Sequence, residues 1–289
     1  MKGEKKLNRI GKTADLCDAE SLSIIIDYLN YRSTEPFLFR LEEGYGVETE
    51  NIMGNFLNRV NDPKIIPPRM PGSRWFRVEQ LLEFIFVITI LKYNTLLNTE
   101  EKVYADIGCE NSCLPLFVST YFNANTYGLD KFESGYGAWF SENVLSKCKN
   151  NILTLLNINN KKTIYKKEDA ESLSFPDEFF DVISCISTIE HIQNDGKAMK
   201  EIGRVLKPNG VAMLTFPISL MTENENFEDT HDTRIYDIKT VFSRLINPSN
   251  LHIVNENINF DFDDKDNILF ENNEKQFFIF LLCLQKLGG

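Results

Sequence analysis

The stretch VYADIGCENSCLPLFVSTYFNANTYGLD, residues 103–130, decides the fold. VYADI is a short apolar run with a β-branched residue at each end, and it stops at Gly108. LPLFVSTYF, too apolar for a surface loop, follows, and TYGLD then closes the unit on Asp130. Strand, glycine turn, apolar helix and second strand make the opening of a parallel sheet, because parallel neighbours require a crossover segment between them. The glycine sits at the strand-to-helix turn, where a ligand can approach the backbone closely.

Working downstream, runs of strand character recur, separated by amphipathic stretches. The expected strands are KVYADI (102–107), TYGLD (126–130), TIYKKED (163–169), FDVISCIS (180–187), GVAMLTFP (210–217), LHIVNENINF (251–260) and KQFFIFLLCLQK (275–286). The clearest helix lies before the fifth of these, with Ala198, Ile202, Val205 and Leu206 recurring on one face and Lys207, Pro208, Asn209 and Gly210 forming a stop signal. The expected class is therefore α/β, a doubly wound, seven-stranded, mostly parallel sheet.

Upstream of about residue 95 the pattern is different. A helix is expected over 19–31, glycines stand at 44, 46 and 54, and Asn61–Arg74 carries prolines 63, 67, 68 and 71, which exclude regular structure there. Trp75–Asn94 is apolar almost all round, the pattern of a helix enclosed between other elements. Its core, LLEFIFVITIL from Leu81 to Leu91, contains Glu83 and is about half the roughly 20 residues that a membrane helix needs. The expected organisation is a mostly helical cap over residues 1–95 and the sheet domain over 96–289.

Composition narrows the function. Over 289 residues, 43% are hydrophobic and 25% charged, an ordinary globular balance. Forty-two acidic against 31 basic side chains give a net charge of -11, the wrong sign for gripping bulk nucleic acid. The six cysteines are scattered, and the first 17 residues lack the apolar centre of a secretory signal, so a cytoplasmic location with thiols rather than disulfides is expected.

The usual three-glycine phosphate fingerprint is absent, since Gly108 is followed by Cys109, Glu110, Asn111 and Ser112. Asp130, about 20 residues after Gly108, stands where a carboxylate accepts hydrogen bonds from both hydroxyls of a ribose. It can equally cap a helix beginning near Ser134, and spacing alone does not separate the two roles.

In chain order, VYADIGC, YGLD, EDAESLSFPDEFFDVISC, IEHI (189–192) and EIGRVLKPNGVAMLTFP resemble the class I S-adenosylmethionine-dependent methyltransferases over roughly Val103–Pro217. The resemblance implies a Rossmann-like methyltransferase fold with S-adenosyl-L-methionine as cofactor. It places Asp106, Gly108 and the adjoining Cys109 at the methionine end of that cofactor. Asp130 and Lys131 fall at the ribose, Asp169 and Ala170 at the adenine, and Ile186 and Ser187 beside the sulfonium.

Methyl transfer from a sulfonium asks mainly for positioning and exclusion of water. For an alcohol acceptor a base helps, and Glu190, His191 and His231 are the candidates. Glu190 can instead cap the following helix, with His191 packing on the cofactor. Glu190 and His191 also resemble the start of a divalent-metal site in some relatives, but Ser187 replaces that motif's first acid, and no metal is expected. The polar segment 218–237, carrying His231, Asp232, Arg234 and Tyr236, is expected on the acceptor side. Arg69, Arg74 and Arg77 beside Trp75 and Phe76 suit a phosphate-bearing or planar acceptor, or else form a solvated hinge.

The expected function is thus methyl transfer to a small-molecule or sugar-type acceptor at a hydroxyl. The alternative is a methyltransferase-like subunit that binds the cofactor without turnover. A homodimer is compatible with the sequence, which does not fix the oligomeric state.

Overall fold

A computed structural model describes residues 9–10, 78–93, 96–97, 101–109, 114–132, 162–219, 234–254, 269–272 and 275–288. Several expectations lie outside them: the helix at 19–31, the glycines at 44, 46 and 54, the proline-rich segment, Arg69 to Arg77, the turn from Glu110 to Cys113, Ser134 and His231. The strands are β1 (Arg9–Ile10), β2 (Val103–Ile107), β3 (Asn125–Asp130), β4 (Thr163–Lys167), β5 (Phe180–Ile186), β6 (Leu206–Ile218), β7 (His252–Ile253), β8 (Leu269–Asn272) and β9 (Lys275–Gln285). The helices are α1 (Val78–Tyr93), α2 (Leu114–Phe122) and α3 (Asp195–Val205). Ile238–Thr240, Val241–Ile246 and Asn247–Ser249 run on as α4, with a π-helical middle.

The sheet follows the order β1-β9-β6-β5-β2-β3-β4, with β7 and β8 also pairing to β9. From β4 to β6 every pairing is parallel, whereas each pairing made by β9 is antiparallel. The chain builds outward from β2 through β3 to β4, then returns to β2's other side with β5 and β6. The switch point therefore falls between β2 and β5, where Ile107 registers with Cys185, and open α/β sheets bind ligands just beyond the carboxyl ends of such a pair.

Each expected strand is represented, the one proposed over 251–260 only as His252–Ile253 within the described residues, with His252 exposed. The strands at Arg9–Ile10 and Leu269–Asn272 were not foreseen. Strands of two and four residues leave no period to detect, and both are defined by their registers with β9.

Alternation along the central strands sorts the core into two layers. On one face Tyr104, Val182, Ile186, Val211, Met213, Ile279 and Leu281 pack with α1 and α2. On the other, Ala105, Ile107, Ile183, Cys185, Ala212, Leu214 and Phe280 pack with α3 and α4. Both faces are thus covered, as parallel sheets require.

α3 starts with Asn194, whose side chain accepts from the Lys197 N–H, and ends where Leu206 turns extended. Its Gly203 faces Ser249, and a Cβ there would strike the Ser249 carbonyl, so glycine sets how closely α3 and α4 approach. In α1 all described side chains from Glu83 to Leu91 are buried, as expected for an enclosed helix. No helix among the described residues is long and apolar enough to cross a membrane.

Candidate functional site

At the end of β2, Asp106 is 2% exposed. Its Oδ1 accepts from the Ser184 hydroxyl of β5 at 2.6 Å, and the Ser184 oxygen lies 2.5 Å from the Tyr104 hydroxyl. The three side chains share one face of the sheet, because 104 and 106 are two apart on β2 and Asp106 registers with Ser184. Burial raises the Asp106 carboxyl, the Ser184 hydrogen bond lowers it and the charge of Asp130 raises it, for a result of about 7. Burial likewise pushes the Tyr104 phenol up, with the Asp106 charge adding to it.

The turn after β2 is fixed by Gly108, whose φ is 73°, in the left-handed region that favours glycine. Its N–H donates to the Leu129 carbonyl at 2.7 Å, and a Cβ would run into the Thr188 side chain. The Thr188 hydroxyl in turn donates to the Ile186 carbonyl at 2.8 Å. The glycine turn and the end of β5 thus touch across the switch point. Cys109 is buried with its sulfur against Gly128, and its N–H donates to the Leu129 carbonyl at 3.2 Å.

On β3, Asp130 ends the strand, and its Oδ1 accepts from the Phe132 N–H at 2.8 Å, with Phe132 at φ 53°. This closes a turn two residues long; the alternative role of Asp130 as cap of a helix near Ser134 falls outside the described residues. The neighbouring Lys131 reaches across to β4's extension, its Nζ 3.0 Å from Asp169 Oδ2. Asp169 Oδ1 accepts from the Glu171 N–H at 2.9 Å, and Ala170 lies half-buried in the same turn. Burial opposes the Asp169 charge, but the Glu171 N–H and the Lys131 ammonium outweigh it and hold the carboxyl below its usual range. The expected ribose and adenine residues therefore stand side by side at the carboxyl ends of adjacent strands.

β5 ends in Ile186 and Ser187. Ser187 has φ 41°, a strained value for a non-glycine residue. The strain is held by the Ser187 N–H, which donates to the Thr215 carbonyl and to Thr215 Oγ1, each at 3.1 Å. The hydroxyls of Ser187 and Thr215 both donate to Glu83 Oε1 of α1, that of Thr215 at 2.9 Å.

Glu190 and His191 occupy a single 3-10 turn, Ile189–His191. Glu190 does not cap the next helix, since Asn194 does so. Its side chain is buried and lies 4.0 Å from Nε2 of His191, which is half-exposed. The turn is held from behind by Asp195. Asp195 Oδ2 receives Arg234 at 3.0 Å, the Tyr236 hydroxyl at 3.0 Å and Arg244 Nε at 2.8 Å. Arg234 Nη1 also donates to the Ile192 carbonyl, and its backbone N–H to that of Glu190. Arg234 and Tyr236 were expected in a polar acceptor-side loop. Both are buried, because Tyr236 bridges to Ile218 and carries the chain back against the sheet.

The sequence reading missed Glu83, Ser184 and Thr188 as site residues. Glu83 was visible as the lone charge in an apolar run, and Ser184 as a polar residue in FDVISCIS on the face of Asp106.

Residues 105–214 match a family described as a methyltransferase domain, and residues 164–266 match one provisionally described as an S-adenosyl-L-methionine-dependent methyltransferase. A sterol 4-C-methyltransferase of Caenorhabditis elegans is 26% identical over 197 residues, which is 64% of this chain and 52% of that protein. An uncharacterised methyltransferase of Bacillus subtilis is 42% identical over 50 residues, 17% of this chain and 20% of its own. A ubiquinone/menaquinone biosynthesis C-methyltransferase of Pectobacterium carotovorum is 32% identical over 72 residues, 25% and 29% of the two chains. The chain thus spans about half or less of the length of these curated relatives. Among solved structures, a provisionally named sarcosine dimethylglycine methyltransferase from Galdieria sulphuraria superposes with TM-score 0.52 at 12% identity, covering 73% of this chain and 88% of that one. The [4+2]-cyclase SpnF superposes with TM-score 0.51 at 14% identity, covering 82% and 93%. These two likenesses speak for the fold alone.

Proposed function

We propose, for a chain whose residues 105–214 belong to the class I S-adenosylmethionine-dependent methyltransferase family, that it catalyses methyl transfer to a small-molecule or sugar-type hydroxyl. The observation that carries the reading is the switch point itself. A buried acid, a left-handed glycine and a strained serine converge between β2 and β5, with Asp130 at the end of β3 and Asp169 just beyond β4 in line beside them.

Those residues suit the cofactor group by group. Asp106 meets its ammonium, and Gly108 leaves the backbone bare where a side chain would strike Thr188. Asp130 accepts from the ribose hydroxyls, Asp169 accepts from the adenine amino group, and the Ala170 N–H meets the ring. Bound S-adenosylmethionine supplies an activated methyl group on a sulfonium. Toward the acceptor, His191 is the base, half-exposed and within ion-pair distance of the buried Glu190, whose charge favours the imidazolium that forms. Acceptor recognition falls to residues 1–95 and the segment that ends at Arg234. The two named C-methyltransferase relatives make a carbon acceptor the competing reading, and carbon NMR of the product formed from a methyl-labelled cofactor, which separates a carbon-bound from an oxygen-bound methyl, decides between them.

The test is calorimetric titration with S-adenosylmethionine, S-adenosylhomocysteine and, as control, NAD. Binding of the first two at micromolar concentration and not the third supports the reading. Binding of neither would leave only the fold. Asp130→Ala should weaken both by about 1.5 to 3 kcal/mol, the scale of lost hydrogen bonds to a charged group. In an acceptor screen, His191→Ala should keep cofactor affinity and lower turnover by roughly 100-fold or more, as loss of a general base does. Unchanged turnover would leave positioning as the whole of the catalysis.

A further inference from the structure

We infer that Glu83, on α1 outside the segment matched to the methyltransferase domain, is a positioning residue that supplies negative charge behind Ser187 and favours a cationic sulfonium over a neutral thioether at that end of the site. The inference rests on the cofactor reading above and deepens it.

Glu83 is wholly buried in a helix whose described neighbours from Phe84 to Leu91 are all buried and, apart from Thr89, all apolar. Polar residues are costly in such a setting unless their hydrogen bonds are met. Its Oε1 receives two hydroxyls, those of Ser187 and Thr215. The direction of the second is fixed by its own surroundings. Thr215 Oγ1 accepts from the Ser187 N–H at 3.1 Å, so its single proton is turned to the carboxyl. Both lone pairs of Oε1 are thus taken up by hydroxyl donors, an arrangement that suits a carboxylate.

The place matters as much as the charge. Ser187 is strained at φ 41°, and the next residue, Thr188, packs on Gly108 at the switch point. Helix-to-sheet packing needs no carboxylate at this position, and one methylene-rich residue more would complete the apolar face of α1. The acid is instead aimed at the backbone that the cofactor's reactive end must pass. Held one hydroxyl away, it lowers the energy of a positive charge beyond Ser187 and does nothing for the same molecule without that charge.

The experiment compares S-adenosylmethionine with S-adenosylhomocysteine by calorimetry on the full chain, wild type and Glu83→Gln, a near-isosteric change that keeps an acceptor oxygen. The ratio of the two dissociation constants should shift on the order of tenfold against the sulfonium, with thioether affinity unchanged, as expected for removing one charge at short range. A ratio that stays put while the wild type binds both ligands overturns this inference and leaves the cofactor reading standing. A wild type that binds neither overturns both. A purely structural Glu83 would weaken the two ligands alike, which also overturns it. Should Glu83→Gln not fold, Glu83→Asp keeps the charge and loses the reach to Ser187. Retention of most of the wild-type ratio in that variant supports the inference, and its loss overturns it.

Discussion

The two ends of the central strands treat their acids in opposite ways. At the amino end, Asp181 at the start of β5 is met by Lys102 at 2.8 Å, Lys207 at 2.7 Å and the Val103 N–H at 3.0 Å. Burial works against its charge, but those donors prevail and keep the carboxyl below its ordinary range. At the carboxyl end, Asp106 is held by a serine hydroxyl and faces the charge of Asp130, and it is raised to about 7. One end is neutralised by the chain's own lysines and holds three strands in register. The other brings Asp106 and Asp130 together beside the Gly108 turn at the switch point. The two acids differ in their partners, lysines at one end and a hydroxyl with a second acid at the other, although both stand on β-strands and both are largely buried.

The largest effect should come from attacking the ligand end without touching its charge. Gly108→Ala forces a side chain into φ 73° and into Thr188. Cofactor affinity should fall by about 100-fold or more, since left-handed strain and a displaced β5 end act on the same site. Calorimetry reads this, and near-wild-type affinity in the folded variant would break the comparison at its centre.

Next comes the amino end. Asp181→Asn leaves two lysines facing a neutral amide and should cost about 1 to 3 kcal/mol of stability, the scale for a lost charged hydrogen-bond partner. Cofactor affinity should not move. Denaturant melts beside titrations sharpen the contrast, and a variant with intact stability but weakened binding would invert it.

The smallest effect is a pH slope. The folded Asp106 carboxyl is raised above its unfolded value, so its contribution to stability is full below the ordinary carboxylate range and is lost as pH rises through about 7. Asp106→Asn lacks this loss, and its melting temperature relative to wild type should therefore climb between pH 5 and pH 8. Because a cofactor ammonium favours the carboxylate, wild-type affinity should rise over the same interval, while that of the variant stays flat. Parallel pH profiles for the two proteins would remove Asp106 from the site.

Among the site residues, legibility followed locality. Asp106, Gly108, Asp130, Asp169 and Ser187, the proposed cofactor residues, could be placed along the carboxyl edge because each ends a strand or lies in the turn after it, and strand ends are marked by residues a few positions apart. Lys131 and Asp169 were both expected at the cofactor, but their 3.0 Å ion pair joins neighbouring strands and required the β3–β4 register. Of the two readings of Glu190, base or helix cap, the structure removes the cap, because the turn Ile189–His191 closes before the helix and Asn194 caps it. Arg234 and Tyr236 were expected in a polar loop on the acceptor side, since nothing local announces a buried partner as distant as Asp195.

α3 ends at Val205, short of the expected stop at Lys207–Gly210, whose residues open β6, but the α/β class, the seven expected strands and the order of the motifs along the carboxyl edge are legible in the sequence alone. These depend on period, breakers and spacing, which act over one or two turns of chain. Only the tertiary structure decided that Glu83, 104 residues from Ser187, joins it at the same site. It also decided that Asp181 gathers lysines from two other strands' ends and that β1 and β8 become strands at all. Those outcomes depend on which surfaces meet once both faces of the sheet are covered, and contacts between segments far apart in sequence leave no periodic trace in either one.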